Sequence, residues 1–208
     1  MKIRVLTLVL SLFITNSISA FSPSKSDSIK FSVSFNYYKD FSDTYGGGDL
    51  FSGEIELTKS WYGASISYSY LQSLSTFILK VPIEELNSLI EIPFDEIAIM
   101  KTGTLSFAII PVQSKRFSIE VLLGIAYAKA EQLCFKNVDF SYSTVENRFT
   151  YLLRDYQLVK KEHFGYQAGI NLIYYPFKSV GINLNTRVQD LSHGGTFFLV
   201  GCGICFRF

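Results

Sequence analysis

Between Phe198 and Phe208 every second residue is bulky or apolar: Phe198, Val200, Cys202, Ile204, Phe206 and Phe208. The intervening residues are Leu199, Gly201, Gly203, Cys205 and Arg207, mostly small or polar. Successive side chains of an extended strand point to opposite faces. This terminal segment is therefore a strand with one continuously apolar face and one small or polar face. The same alternation recurs along the chain, which restricts it to an antiparallel all-β fold.

Seven earlier segments carry the pattern. The first, about 28–39, sets Phe31, Val33, Phe35 and Tyr37 against Lys30, Ser32, Ser34 and Asn36. The second, 50–59, sets Phe51, Gly53, Ile55 and Leu57 against Ser52, Glu54 and Glu56. The third, 62–70, alternates Tyr62, Ala64, Ile66, Tyr68 and Tyr70 with Gly63, Ser65, Ser67 and Ser69. Strands follow at 102–112, 117–127, 164–174 and 180–190, separated by short turns at Gln113–Lys115 and Pro176–Lys178. Two long insertions, about 71–101 and 128–161, interrupt the series. In the first, Ile83, Leu86, Leu89 and Ile90 have the spacing of one side of a short helix over 82–96. In the second, 149–159 reads as an extra strand, and Cys134 falls in a loop.

Alternation alone does not say which face meets water; charge does. The bulky face is nearly free of charge through the strand centres and carries Tyr and Phe near the strand ends. A soluble barrel would need many Lys and Glu there. The opposite face is rich in Gly, Ser and Asn and carries Lys30, Glu54, Glu56, Glu120, Arg187 and Arg207. An apolar exterior flanked by aromatic girdles, an even number of strands, and short turns alternating with long loops describe an eight-stranded antiparallel transmembrane β-barrel with long extracellular loops. Both termini are then periplasmic.

The front of the chain agrees. Lys2 and Arg4 precede the apolar run Val5–Ile14 and the small-residue stretch Ser17–Ala20. This is the layout of a secretory signal at 1–20, leaving a barrel domain at 21–208. The remaining 17 basic and 18 acidic residues nearly cancel, so nothing points to a nucleic-acid partner. Cys134, Cys202 and Cys205 make no disulfide framework, and Cys202 and Cys205 belong to opposite faces of one strand.

Ile110–Pro111 before the Gln113 turn, Gly165–Tyr175 leading into Pro176, the strand Gly181–Asp190 and the terminal Phe208 occur in this order. Over 28–208 the chain resembles the small eight-stranded outer-membrane β-barrel proteins, including the porin-like barrel family common in Bacteroidetes. The resemblance implies a Gram-negative outer membrane and lipid as the surrounding partner. It also implies Phe208, with Phe206 before it, as a signal to the barrel-insertion machinery. The group shares no single reaction.

An eight-stranded barrel is narrow enough for its side chains to fill it. The strand directions place Lys30, Glu56 and Arg207 together near the periplasmic end as a mutually neutralising cluster. Glu54, Glu120 and Arg187 form a second layer with Gln167, Asn171, Asn183 and Asn185. The leading functional expectation is a structural or surface-binding role carried by the outer loops, toward an extracellular protein or glycan. A narrow channel for ions or small solutes is the next alternative. A lipid hydrolase with a rim site at His193, near Asp190 and Ser192, is a third. No catalytic, cofactor or metal site is indicated, because no spacing supplies three or four convergent ligands.

Overall fold

In a computed structural model the described residues are 29–42, 47–83, 88–146 and 148–208. The signal segment at 1–20 and its cleavage point lie outside them. Among the described residues the strands are β1 (Ile29–Asp40), β2 (Gly48–Lys59), β3 (Tyr62–Ile83), β4 (Ser88–Gln113), β5 (Phe117–Ser143), β6 (Arg148–Tyr174), β7 (Val180–Asp190) and β8 (Thr196–Arg207). Each pairs antiparallel with its neighbours in chain order, and β8 closes on β1.

The register fixes the shape. Stepping from partner to partner around the ring leads from Lys30 through Thr58, Gly63, Ala108, Leu122, Gly169, Arg187 and Leu199 to Asp40. One circuit thus advances ten residues along β1, a stagger that tilts eight strands by about 40° from the barrel axis. The periplasmic connections are tight. Between β2 and β3 the turn is Ser60–Trp61, with Ser60 in the left-handed region at φ 56°. The β4–β5 turn is closed by the Ser114 amide donating to the Phe117 carbonyl at 2.7 Å.

The two faces separate as the alternation predicts. Phe35, Phe51, Ile66, Leu105, Ile125, Ile170, Leu184 and Ile204 all point outward and are exposed. Ser32, Asn36, Glu54, Glu56, Ser67, Glu120 and Asn185 are buried inside. On β5 the outward residues from Phe117 to Tyr127 include no charge. Ten residues at about 3.3 Å each, foreshortened by the tilt, make a band of ~25 Å, the height of an outer-membrane hydrocarbon belt. Tyr37, Tyr70, Tyr127 and Tyr166 rim its upper edge, and Trp61, Tyr62, Tyr174 and Phe208 its lower edge. The first outward charges above the belt are Lys39, Asp49, Lys101, Asp190 and Lys129.

The insertions differ from the expectation. Most of 71–101 and 128–161 is not loop but continuous strand beyond the barrel mouth. The helix expected over 82–96 is absent where the chain is described: Pro82–Ile83 end β3 and Ser88–Glu96 begin β4, with Ile78 opposite Pro93 and Leu79 opposite Ile92. Residues 84–87, including Leu86, lie outside the described residues. Cross-strand pairing with a neighbouring extended segment outcompetes a short amphipathic turn of helix, which is marginal alone. Likewise 149–159 is the first half of β6 rather than an extra strand, and β6 runs on through His163. Cys134 lies in β5 opposite Gln157, not in a loop.

A charge placed at the middle of the belt has no aqueous escape. Leu105→Arg or Ile125→Arg should cost about 2–4 kcal/mol. The same residue in place of Lys136, above the belt, should cost almost nothing. Urea unfolding in lipid vesicles, followed by the fluorescence of the single tryptophan, Trp61, measures both.

Candidate functional site: the lumen and the protruding sheet

The lumen has two chemically different halves. Toward the periplasm it is polar. The Arg187 guanidinium donates to Glu54 Oε2 at 2.5 Å, with side chains 5% and 6% exposed, and lies 5.2 Å from the Tyr38 ring. Asn36 Oδ1 accepts from Asn183 Nδ2 at 2.8 Å and Asn185 Nδ2 at 3.0 Å. Gln167 Nε2 donates to Ser106 Oγ at 2.7 Å, and the Ser67 and Thr104 hydroxyls are bonded to each other. Gly201 and Gly203 of β8 leave room for this network: a Cβ on Gly203 would strike Asn36 Oδ1, and one on Gly201 would meet the Tyr38 ring.

The six charges expected inside are distributed unevenly, and Asp40 is buried as well. Glu54 and Arg187 form a direct buried pair. Glu120 accepts from Ser118 Oγ and Asn171 Nδ2, both at 3.3 Å. Glu56 accepts from Ser32 Oγ at 3.3 Å. Arg207 stacks on Tyr175, with its guanidinium carbon 3.7 Å from the ring centroid. Among the described residues, no ion pair within 4 Å joins Lys30, Glu56 and Arg207. They occupy the same end of the barrel without forming an ion pair.

Toward the outside the lumen is mainly apolar and filled, with Asp40, Thr102, His163 and Gln189 also buried there. Tyr38, Leu50, Leu71, Met100, Leu191, Phe197 and Leu199 pack with Ala126, Ala128 and Ala130, all within a few per cent of full burial. Sequence reading missed this plug, although the signal was present. Leu50, Leu71, Met100 and Phe197 continue the inward parity of their strands above the polar residues, so the inward face changes character with height rather than staying polar throughout.

At the rim, the groups near His193 are committed elsewhere. Ser192 Oγ donates to the Phe164 carbonyl at 2.7 Å, and Asp190 accepts from the Tyr166 hydroxyl at 3.0 Å on the outer face. His163 points inward beneath Gly194, whose hydrogen allows the ring to approach. Neither Ser192 nor Asp190 is hydrogen-bonded to His193, and no nucleophile–base contact is formed there among the described residues.

Above the mouth, β3–β6 leave the ring and continue as a protruding antiparallel sheet. β2 stops pairing with β3 at Gln72, and β7 stops pairing with β6 at Tyr166. Among the described residues, the β3 edge over 74–83 and the β6 edge over 148–162 therefore have no strand partner on their outer sides. β5 and β6 stay paired up to Ser143 and Arg148, about 50 Å along the strand from the mouth at roughly 3.3 Å per residue. Exposed cross-strand pairs decorate this arm: Lys129–Glu162 at 3.2 Å, Lys160–Glu131 at 3.2 Å, Lys136–Asp155 at 3.1 Å and Lys80–Glu91 at 3.1 Å. A small aromatic core steadies its base, with Phe94 and Phe135 rings 4.2 Å apart and Arg154 over Phe94 at 5.7 Å.

Neither a known family model nor a curated protein matches the sequence. Solved structures do resemble the fold. Ail, the attachment invasion locus protein of Yersinia pestis, superposes with a TM-score of 0.51 at 14% identity, over 86% of this chain and 97% of that one. A major outer membrane protein from Thermus thermophilus superposes with a TM-score of 0.51 at 14% identity, over 87% of this chain and 100% of that one. The fold is that of the eight-stranded outer-membrane β-barrels.

Removing one member of the buried Arg187–Glu54 pair strands the other. Arg187→Met or Glu54→Leu alone should cost about 3–5 kcal/mol, and the two changes together much less than the sum. A double-mutant cycle by urea unfolding in vesicles reads the coupling. The arm gives an independent check of orientation through its thiol. Burial pushes the Cys134 thiol up from its ordinary value, while Cys202 faces the belt and Cys205 the lumen. A charged maleimide added to intact cells should label Cys134 alone, with a rate rising about tenfold from pH 7 to pH 8 because the thiolate reacts.

Proposed function

We propose that this protein is an integral outer-membrane barrel whose task is surface binding, carried by the protruding sheet. The observation that carries the reading is the pair of strand edges above the mouth that, among the described residues, have no strand partner, on β3 over 74–83 and on β6 over 148–162. Exposed edges are costly liabilities that proteins usually blunt or cover. Here they stand on a long arm on the far side of the belt from the periplasmic turns. An extended segment of a partner protein can add to such an edge through main-chain hydrogen bonds. Leu153, Tyr151 and Leu158 on β6 are exposed and supply apolar contacts.

A protein partner fits better than a polyanionic glycan. Ail is described in complex with a heparin analogue, sucrose octasulfate. On this chain Lys80, Lys129, Lys136 and Lys160 of the arm are each paired with a carboxylate, which weighs against a concentrated basic surface. The filled upper lumen weighs against the channel alternative, and the committed side chains around His193 weigh against the hydrolase. Removal of residues 1–20 at export, recognition of Phe206 and Phe208 by the insertion machinery, and the narrower kinship with the porin-like barrels of Bacteroidetes belong to the same proposal. They are supported by the signal-like start, the terminal aromatics and the order of the strand motifs.

The test is a barrel with a shortened arm. Deleting 134–157 and rejoining Leu133 to Leu158, which are register partners, through a two-residue Asn-Gly turn removes the outer hairpin. The shortened protein should keep heat-dependent gel migration. In nanodiscs it should lose binding to the extracellular proteins that the full-length barrel captures. In planar bilayers both forms should be silent. Equal capture by the shortened barrel would overturn the role of the arm, and steady unit conductance would revive the channel.

A further inference from the structure

One line of direct partners crosses six strands on the outward face: Phe35, Gly53, Tyr68, Gly103, Tyr127 and Phe164. Aromatic rings beside strand glycines commonly fold over them and cover the bare backbone. Here they do not. A Cβ on Gly103 would meet nothing within 4 Å, and one on Gly53 would touch only Phe35, at 4.0 Å. The rings stand as walls instead, Tyr68 57% and Phe164 70% exposed. They enclose an apolar groove of about 880 Å³ within the belt. Over Gly103 its floor is backbone and its walls are Tyr68 and Tyr127.

The groove has a charged head. Lys101 lies two residues above Gly103 on the same face of β4 and is directly opposite Lys129 of β5. Like charges so placed repel. Lys129 is engaged by Glu162 at 3.2 Å and lies 5.8 Å from the Tyr127 ring centroid. Lys101 is exposed and, among the described residues, belongs to no ion pair. An unpaired cation at the upper edge of the belt, above an unfilled apolar slot and beside a second cation, is complementary to an anion that carries a hydrocarbon tail.

We propose that the slot over Gly103 seats one acyl chain of a phosphate-bearing lipid of the extracellular leaflet, with the phosphate held by Lys101 and, secondarily, Lys129. The tail fills space that two missing side chains leave open, and the phosphate relieves the lysine–lysine repulsion. A zwitterionic lipid gains the first contact but brings its own cation against the second. The seat lies below the protruding arm, shares with it only Lys129 at the arm's foot, and does not depend on what the arm binds.

Native mass spectrometry of the detergent-solubilised barrel tests it, with phosphatidic acid and phosphatidylcholine of identical chains as probes. The unaltered protein should retain phosphatidic acid about five- to thirtyfold better, the preference that one or two interfacial lysines supply. Lys101→Gln should abolish most of that preference. Gly103→Leu, which places a side chain in open space on the outer face, should lower retention of both lipids while the barrel keeps its heat-dependent migration. Excess inorganic phosphate should leave the lipid in place, because it lacks the tail. Equal retention of the two lipids by the unaltered protein, an undiminished preference in Lys101→Gln, unchanged retention in Gly103→Leu, or displacement by inorganic phosphate would each overturn the proposal.

Discussion

Backbone hydrogen bonding without water is the constraint on which the rest of this molecule depends. Inside a hydrocarbon belt an unpaired amide or carbonyl costs several kcal/mol, so a sheet can cross only if its edges meet. β8 meets β1 from Ser32–Arg207 to Asp40–Leu199, and that closure satisfies the belt. The ten-residue stagger it requires sets the tilt, and the tilt sets the height at which outward charges resume. Lys39, Asp49, Lys101 and Asp190 appear at that height on four different strands because they share one aqueous boundary.

Closure also creates an interior that must be filled without an edge to relieve errors. The solution differs with height. In the lower lumen, polar residues bond to one another across the ring: Arg187 with Glu54, Asn183 and Asn185 with Asn36, Asn171 with Glu120. In the upper lumen, Leu50, Leu71, Met100, Leu191, Phe197 and Leu199 pack as a small core. The buried pair is costly to desolvate but is held by geometry from two strands far apart in sequence. It therefore favours one ring register over its neighbours, a specificity that apolar packing alone supplies less sharply. The plug above it makes the barrel a post rather than a pipe.

Much of this was legible in the sequence because a strand's parity is local. From Phe31 to Phe208 the alternation assigned nearly every side chain in the belt to the correct face, and Cys202 and Cys205 to opposite ones. What the sequence concealed was where strands end. Segments 71–101 and 128–161 lose the strict alternation because above the belt neither face meets hydrocarbon. There Lys129, Glu131, Lys160 and Glu162 sit on outward positions that Leu and Ile occupy lower down. The same loss made 82–96 look helical, since Leu89 and Ile90 are adjacent apolar residues that no two-residue period explains. The ring-wide partners were equally hidden: Glu54 and Arg187 are 133 residues apart, and only the closed register says that their side chains meet.

The change in pattern is also where function concentrates. Below the mouth, hydrocarbon permits no open edge and fixes the sheet in a single ring. Above it, water can satisfy a free edge, so β3 and β6 can lose their partners without the penalty that closure avoids lower down. An arm built this way costs the fold little, because its strands are extensions of ones already nucleated and paired in the ring. It carries its own cross-strand ion pairs, each worth little when exposed but collectively keeping the edges hydrated and discouraging indiscriminate pairing. A partner must therefore bring side chains that fit Tyr151, Leu153 and Leu158 as well as a free strand. Main-chain pairing supplies affinity at an edge of this kind, and these few apolar positions decide which strand is accepted.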